Sequence, residues 1–171
     1  MSHIPTGRAL LDAERILQNI PLASGMVYAD FGCGNVGHFV FPAAQMVGET
    51  GHVYAVDILK KALESITKRA QREGFHQVTT VWGDLERPRG VNIPSDFVHV
   101  ISLVHLTDLL QHSPFVIEEV KRLLHDQGMF LVIDWKERQK DRIISLLMAA
   151  GFRFKKSFVA GPHHWGLLFS R

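Results

Sequence analysis

Short apolar runs recur along this chain, and most of them stop at an acid. Residues 26–29, Met-Val-Tyr-Ala, form the first and end at Asp30. His52–Asp57 closes on its own aspartate, and Val78–Trp82 is followed by Gly83 and Asp84. Residues 96–103 and 129–134 are two more, the latter ending at Asp134. Runs of this length, bounded by glycine, proline and acids, predict strands. Between them the period changes. In residues 8–19, Ala9, Leu10, Ala13, Ile16 and Leu17 fall at helical spacing, with Thr6 or Gly7 as cap and Pro21 as stop. Residues 38–47 have helical character, and Pro42 is tolerable only in the first turn, which requires a start near His38 or Phe39. Residues 59–73 carry the stripe Leu59, Ala62, Leu63, Ile66 and Ala70, with basic and acidic residues over the rest and Gly74 as stop. That basic face is read as solvated.

Later segments continue the alternation. Ser113 and Pro114 suit a cap and first helical position, Val116, Ile117, Val120, Leu123 and Leu124 line the helix, and Gly128 is expected to end it. Residues 136–150 form another helix, closed by Gly151. The last two strands, residues 152–159 and 165–169, are too close for a helical crossover and should be antiparallel. The pattern is that of an α/β protein with a mainly parallel seven-stranded sheet and an antiparallel C-terminal hairpin. A single domain over 1–171 is expected, with a leading helix in 1–20 and the core in 21–171. The leading helix is expected to cover a sheet edge, with a substrate lid as the alternative.

Composition narrows the picture only a little. A chain of 171 residues with 46% hydrophobic content suits one globular domain, which buries about 70% of its unfolded surface. The net charge of +2 does not announce nucleic-acid binding. Cys33 is the only cysteine, so no internal disulfide forms. No signal-peptide pattern opens the chain, and no apolar run reaches the roughly 18 residues of a membrane span. A cytoplasmic protein without membrane contact is the default expectation.

The candidate chemistry lies at the strand ends, where open parallel sheets bind ligands. Gly32-x-Gly34-x-x-Gly37 after the first strand has the spacing of a dinucleotide fingerprint, and Asp57 stands about 20 residues on. Asp30 argues otherwise, because an acid at the end of that strand would repel a pyrophosphate. It would welcome a ligand bearing an ammonium and a sulfonium, such as S-adenosylmethionine. Asp57 and Asp84 end the next two strands in the same manner.

The chain resembles the class I S-adenosylmethionine-dependent methyltransferases, in flavour the small ubiquinone/menaquinone-biosynthesis-like group. The carrying motifs are Asp30-x-Gly32-Cys33-Gly34, Val53-Tyr54-Ala55-Val56-Asp57, Gly83-Asp84, Glu118-Glu119-Val120-Lys121-Arg122-Leu123-Leu124 up to Gly128, Ile133-Asp134-Trp135-Lys136 and Ala150-Gly151-Phe152. The resemblance implies a Rossmann-like doubly wound fold and assigns roles by position. Gly32, Cys33 and Gly34 would wrap the methionine part, and Asp30 would meet its ammonium. Asp57 would accept from both ribose hydroxyls. Ile58 would touch adenine, Asp84 would accept from its amino group, and Leu85 would pack nearby. Ser102 would lie by the cofactor through its backbone. One departure concerns the third loop glycine: its usual place is Val36, and Gly37 comes one later. A Val36 standing in for that glycine would narrow the methionine pocket. A second departure is the absence of an inserted cover after the fifth strand. The pocket is then open, closed by a partner subunit in a homo-oligomer, or covered by residues 1–20.

Methyl transfer requires a base only when the nucleophile is protonated. His105, Asp108 and Asp134 are candidates, with His105 the first choice as catalytic residue because its ordinary pKa suits neutral pH. The alternative for His105 is a structural bond to backbone or water. His163 and His164 would point to opposite faces of a strand and so seldom share an ion; no metal site is expected. Trp82, Trp135 and Trp165 are assigned to packing, with stacking on a planar substrate as the alternative. A small-molecule acceptor is expected; an RNA acceptor stays open without an aromatic–basic platform to support it. A non-catalytic S-adenosylmethionine-binding regulatory protein and, more weakly, an NAD-binding module are the competing readings.

Overall fold

A computed structural model describes residues 10–171. The elements run α1 (Ala13–Gln18), β1 (Val27–Phe31), α2 (Val40–Val47), β2 (His52–Asp57), α3 (Lys60–Glu73), β3 (Val78–Trp82), β4 (Val98–Val104), α4 (Thr107–His112), α5 (Pro114–Leu123), β5 (Leu124–Trp135), α6 (Lys140–Ala149), β6 (Arg153–Gly161) and β7 (His164–Ser170). The seven strands form one sheet in the order β3-β2-β1-β4-β5-β7-β6. The first five in that order are parallel, and β7 runs antiparallel to both β5 and β6. This is the expected α/β doubly wound sheet with a C-terminal hairpin.

Alternation along β1 shows why both faces are covered. Val27, Ala29 and Phe31 pack on one side with Val116, Val120 and Leu123 of α5 and Leu147 of α6. Tyr28 packs on the other side with Val40 and Val47 of α2 and Ile66 of α3. Successive side chains of a strand point to opposite faces, so a strand without a polar face needs helices on both. The same register aligns the strand ends: Asp30 pairs with Ala55 and Ser102, and Asp57 with Trp82. The three acids therefore finish at one edge of the sheet.

Several boundaries differ from expectation, among them the last helix, which starts at Lys140 rather than Lys136. Helix α1 starts at Ala13, where the Asp12 side chain accepts from the Arg15 N–H; the expected caps Thr6 and Gly7 lie outside the described residues. Helix α2 starts at Val40 rather than His38, still leaving Pro42 in the first turn. Gly128 does not end α5. The helix stops at Leu123, because Asp96 and Phe97 donate backbone hydrogen bonds to the carbonyls of Arg122 and Leu123 and draw the chain into the sheet. Gly128 instead lies in β5 beside a register irregularity, where a Cβ would press on the carbonyls of His125 and Val98. The expected strand at 129–134 thus becomes a longer β5.

The motif running from Glu118 to Leu124 has a mechanical use. Glu119 is 2% exposed and pairs with Arg122 at 2.6 Å. Its Oε1 accepts from the N–H of Val91, while Arg122 donates to the carbonyls of Val91 and Ile93. One ion pair on α5 thereby pins the loop between β3 and β4, whose beginning carries Asp84 and Leu85. Removing one partner of such a pair strands the other charge, at a cost of about 3–5 kcal/mol. Glu119→Ala is accordingly expected to lose about that much stability in urea unfolding, a large part of a typical domain's total. A loss below about 1 kcal/mol would show that the pair does not brace the loop.

Candidate functional site

The end of β1 carries a buried polar chain. Asp30 is 3% exposed and accepts a 2.6 Å hydrogen bond from Ser102 Oγ of the neighbouring β4. Ser102 Oγ lies 2.5 Å from the hydroxyl of Tyr28, which therefore donates to it. Burial pushes the Asp30 carboxyl up to about 7; the Ser102 bond opposes this and the negative charge of Asp57 adds to it. The acid is thus poised to ionise when a cation arrives. Ser102 is fully buried and acts through its side chain on Asp30, behind the wall rather than on it. Ser102 lines neither of the cavities described below.

The glycine loop is laced to the end of β2. The N–H groups of Gly32 and Cys33 both donate to the Val56 carbonyl. Asp57 accepts from Gly34 N–H on one carboxylate oxygen and from Leu59 N–H on the other, each at 2.9 Å. Gly32 adopts φ 75°, and a Cβ there would collide with Leu106. Gly37, at φ 62°, lets the loop sit directly against Ile66 and Phe41. Val36 is 59% exposed and borders neither cavity described below, so Gly37 does the packing and Val36 narrows nothing. Cys33 is buried, and its thiol is pushed well up by that burial and by the nearby acids.

Two cavities open at this edge and share Gly32, Val104 and His105. The first, about 430 Å³, is bordered by Asp57, Ile58, Asp84, Leu85 and Leu106. Asp84 Oδ1 accepts from Glu86 N–H. Ile58 is half exposed, and its carbonyl accepts from Trp82 Nε1. The second cavity, about 320 Å³, is bordered by Asp30, Cys33, Phe39, His105, Trp135 and His164, with His38, Leu10 and Leu11 also in its wall. His38 Nε2 lies 2.5 Å from the Leu11 carbonyl, so the segment before α1 forms part of the cover. The expected site residues therefore meet around one junction, apart from Ser102 behind it and Gly34, which lines neither cavity but bonds to Asp57. A larger hollow of about 630 Å³ between α1 and β6 is bordered by none of them.

Aromatic rings build the second cavity. His105, at φ 59°, donates its backbone N–H to Ile133 and stacks on Trp135 with centroids 4.9 Å apart and planes 12° from parallel. His164 lies 4.1 Å from Trp135 and 4.9 Å from His105. Burial holds the His105 imidazole below its ordinary value, partly offset by Asp134. The other two candidate bases are engaged elsewhere. Asp134 accepts from the N–H and hydroxyl of Thr107 at the start of α4, and Asp108 pairs with Arg138 at 3.0 Å. His164 was weighed from sequence only as a metal ligand, and His38 only as a helix start. The strand alternation that separates His163 from His164 was the available signal, since it turns one of them inward. Among the described residues no group of three or more His, Cys, Asp or Glu is arranged to hold a metal, and no helix is long and apolar enough to cross a membrane.

Residues 22–160 match the protein family described as methyltransferase domain. The chain is similar to the aklanonic acid methyltransferase DauC of Streptomyces sp. strain C5, with 33% identity over 49% of this chain and 35% of that protein. It is also similar to the nocamycin O-methyltransferase of Saccharothrix syringae, with 29% identity over 68% of this chain and 40% of that protein. The chain thus spans two fifths or less of the length of these curated relatives. The crystal structure of a SAM-dependent methyltransferase from Aquifex aeolicus superposes with a TM-score of 0.84, covering 97% of this chain and 93% of that one at 23% identity. At that identity the likeness bears on the fold.

The raised Asp30 value has a measurable consequence for stability. Below its ordinary value of 3.8 the carboxyl is protonated in both folded and unfolded chains and carries no penalty. As pH climbs from there to about 7, only the unfolded chain ionises freely, so the native state loses ground, and the loss is complete above. Asp30→Asn removes the ionisation and keeps an oxygen for Ser102. Its unfolding free energy relative to the parent should rise between pH 4 and pH 8, by on the order of 4 kcal/mol. Urea unfolding at both pH values that returned the same difference would remove the assignment.

Proposed function

The chain belongs to the class I S-adenosylmethionine-dependent methyltransferases, and we propose that it transfers a methyl group to an oxygen of a small-molecule acceptor. The observation that carries this reading is the pair of cavities meeting at Gly32 and His105, acidic on one side and aromatic on the other.

The residues fit S-adenosylmethionine. Asp57 spends two acceptor positions on Gly34 and Leu59 and, as a carboxylate with about four, has capacity for ribose hydroxyls. Asp84 borders the same cavity and suits an adenine amino group, with Leu85 and Ile58 as apolar walls. Asp30 is a buried acid at the junction, suited to an ammonium and hostile to a pyrophosphate, which disfavours NAD. Gly32 and Gly34 hold the loop where the methionine part would lie. When bound, the cofactor supplies an electrophilic methyl carbon on a sulfonium.

What the chain's own residues contribute is alignment and exclusion of water, worth about 7–11 kcal/mol in favourable cases. Leu10, Leu11, Phe39 and Leu106 wall the two cavities against solvent. His105, the expected catalytic histidine, borders both and orients the acceptor, its ring held by Trp135. The relatives act, by their names, on aklanonic acid and nocamycin, which favours a small-molecule acceptor here. A cytoplasmic setting, with Cys33 reduced, belongs to the same reading.

Calorimetry is the first test. The chain should bind S-adenosylmethionine and leave NAD unbound, and Asp57→Ala should weaken the sulfonium compound at least about tenfold, the loss of one charge-assisted hydrogen bond. NAD binding without S-adenosylmethionine binding would falsify the proposal. Turnover to S-adenosylhomocysteine across a panel of small hydroxyl compounds is the second test. Binding without turnover on any of them favours the regulatory, non-catalytic alternative.

A further inference from the structure

The hollow between α1 and β6 is tied at both ends and unfilled between them. At one end Lys156 Nζ donates to the carbonyl of Asn19, the C-cap of α1, at 2.6 Å. At the other the Leu10 carbonyl lies directly on the end of β6, where a Cβ on Gly161 would overlap it. About 630 Å³ stays open between these ties, a volume that suits a small organic ligand. Among the described residues the hollow shares Leu10 with the aromatic cavity and nothing with the cavity of Asp57 and Asp84.

The polar groups of this wall are incompletely used. Arg15 stands one helical turn before Asn19, on the same face of α1. Its N–H donates to Asp12 Oδ1 and its carbonyl accepts from Asn19 Nδ2. Among the described residues its guanidinium makes no hydrogen bond or ion pair. Lys156 spends one of three ammonium donors on Asn19 and lies 5.9 Å from the centroid of the Phe158 ring. Asp12 is the one acid among the described wall residues, and one of its oxygens is committed to its own helix. Two cations thus face the space against a single acid. Leu10, Ile16 and Ala160 give it aliphatic walls, and Phe158 sits over Gly166, where a Cβ would strike the ring.

We propose that the hollow binds an aliphatic carboxylate, its head group held by Arg15 and Lys156 and its chain laid against Ile16, Ala160 and Phe158. A carboxylate accepts two parallel bonds from a guanidinium, and the Lys156 ammonium has donors left for it. Inorganic phosphate would satisfy the cations and leave the apolar wall bare. A nucleotide would find one ring, already faced by an ammonium, and would bring its several charges toward Asp12. A bound carboxylate also bridges α1 to β6. The leading segment carries Leu10 and Leu11 of the aromatic cavity, so the anion fastens that cover. The site does not depend on the methyl-transfer reading.

The probe is octanoate, titrated calorimetrically into the full chain, with 1-octanol and inorganic phosphate for comparison. Octanoate should bind at least about tenfold tighter than either, because the alcohol loses the charge-assisted bonds and phosphate the apolar contact. In ¹⁵N-labelled protein the amides of residues 12–19 and 156–161 should shift, with those of Asp57, Asp84 and Leu85 unmoved. Amide exchange at Ile16, Leu17 and Gln18 should slow at least about fivefold with octanoate bound. Arg15→Gln removes a guanidinium that has no partner among the described residues. It should weaken octanoate at least about fivefold and keep S-adenosylhomocysteine affinity within about twofold. Equal binding of 1-octanol or phosphate, shifts centred on Asp57, unchanged exchange in α1, or parental octanoate affinity in Arg15→Gln overturns the proposal. Shifts and exchange are read in the unmutated chain, so a variant that fails to fold does not leave the question open. A chain that binds S-adenosylhomocysteine and ignores octanoate overturns this proposal alone; one that binds octanoate and no S-adenosylhomocysteine keeps the site and overturns the methyl-transfer reading.

Discussion

The in-phase pairing of β1 with β2 on one side and β4 on the other is the constraint on which the site depends. Parallel strands in register must finish together, so Asp30, Asp57 and the turn into Asp84 arrive at one edge without any direct attraction between them. Like charges gathered there repel, and the raised Asp30 value records burial first and the repulsion from Asp57 in smaller part. The backbone ladders hold the acids in place against it. The sheet order reverses direction between β1 and β4, and that is where the two cavities meet, as expected of ligand sites in open α/β sheets.

Polar groups near this edge divide into those that build and those that wait. Asp134 fastens Thr107 at the start of α4, Glu119 and Arg122 hold the loop after β3, and Ser102 with Tyr28 holds Asp30. Each of these groups is satisfied by partners in the chain. Asp57 and Asp84 retain acceptor capacity toward the cavity they border. Buried polar groups ordinarily find partners, so spare acceptor capacity at a cavity wall suits a ligand.

The leading segment contributes more than edge cover. Ile16 and Leu17 join the core beneath α2, as an edge-covering helix would, but Leu10 and Leu11 border the aromatic cavity. Part of the role that an inserted segment after β5 would fill therefore falls to residues before α1, anchored through His38 and the Leu11 carbonyl.

The amino-acid order alone determined the architecture and the acidic edge, because both are local. Apolar runs of strand length, helical stripes and the short link before the last strand are each legible within a few residues, and chain order then dictates a parallel sheet with a closing hairpin. That Asp30, Gly32, Asp57, Asp84 and Leu85 line the cavities at that edge was legible for the same reason, since they stand at the ends of those runs. Boundaries at α1 and α5 were not, since a side-chain cap from Asp12 and backbone bonds from residues 96 and 97 outweigh the helical stripe and Gly128. Only the tertiary structure decided that Ser102 grips Asp30 from the neighbouring strand and that Gly37 rather than Val36 packs the loop. It alone brought His38, His105, Trp135 and His164 around one cavity. Those residues come from the glycine loop, the end of β4, the end of β5 and the start of β7, and no spacing along the chain records a meeting that sheet order creates.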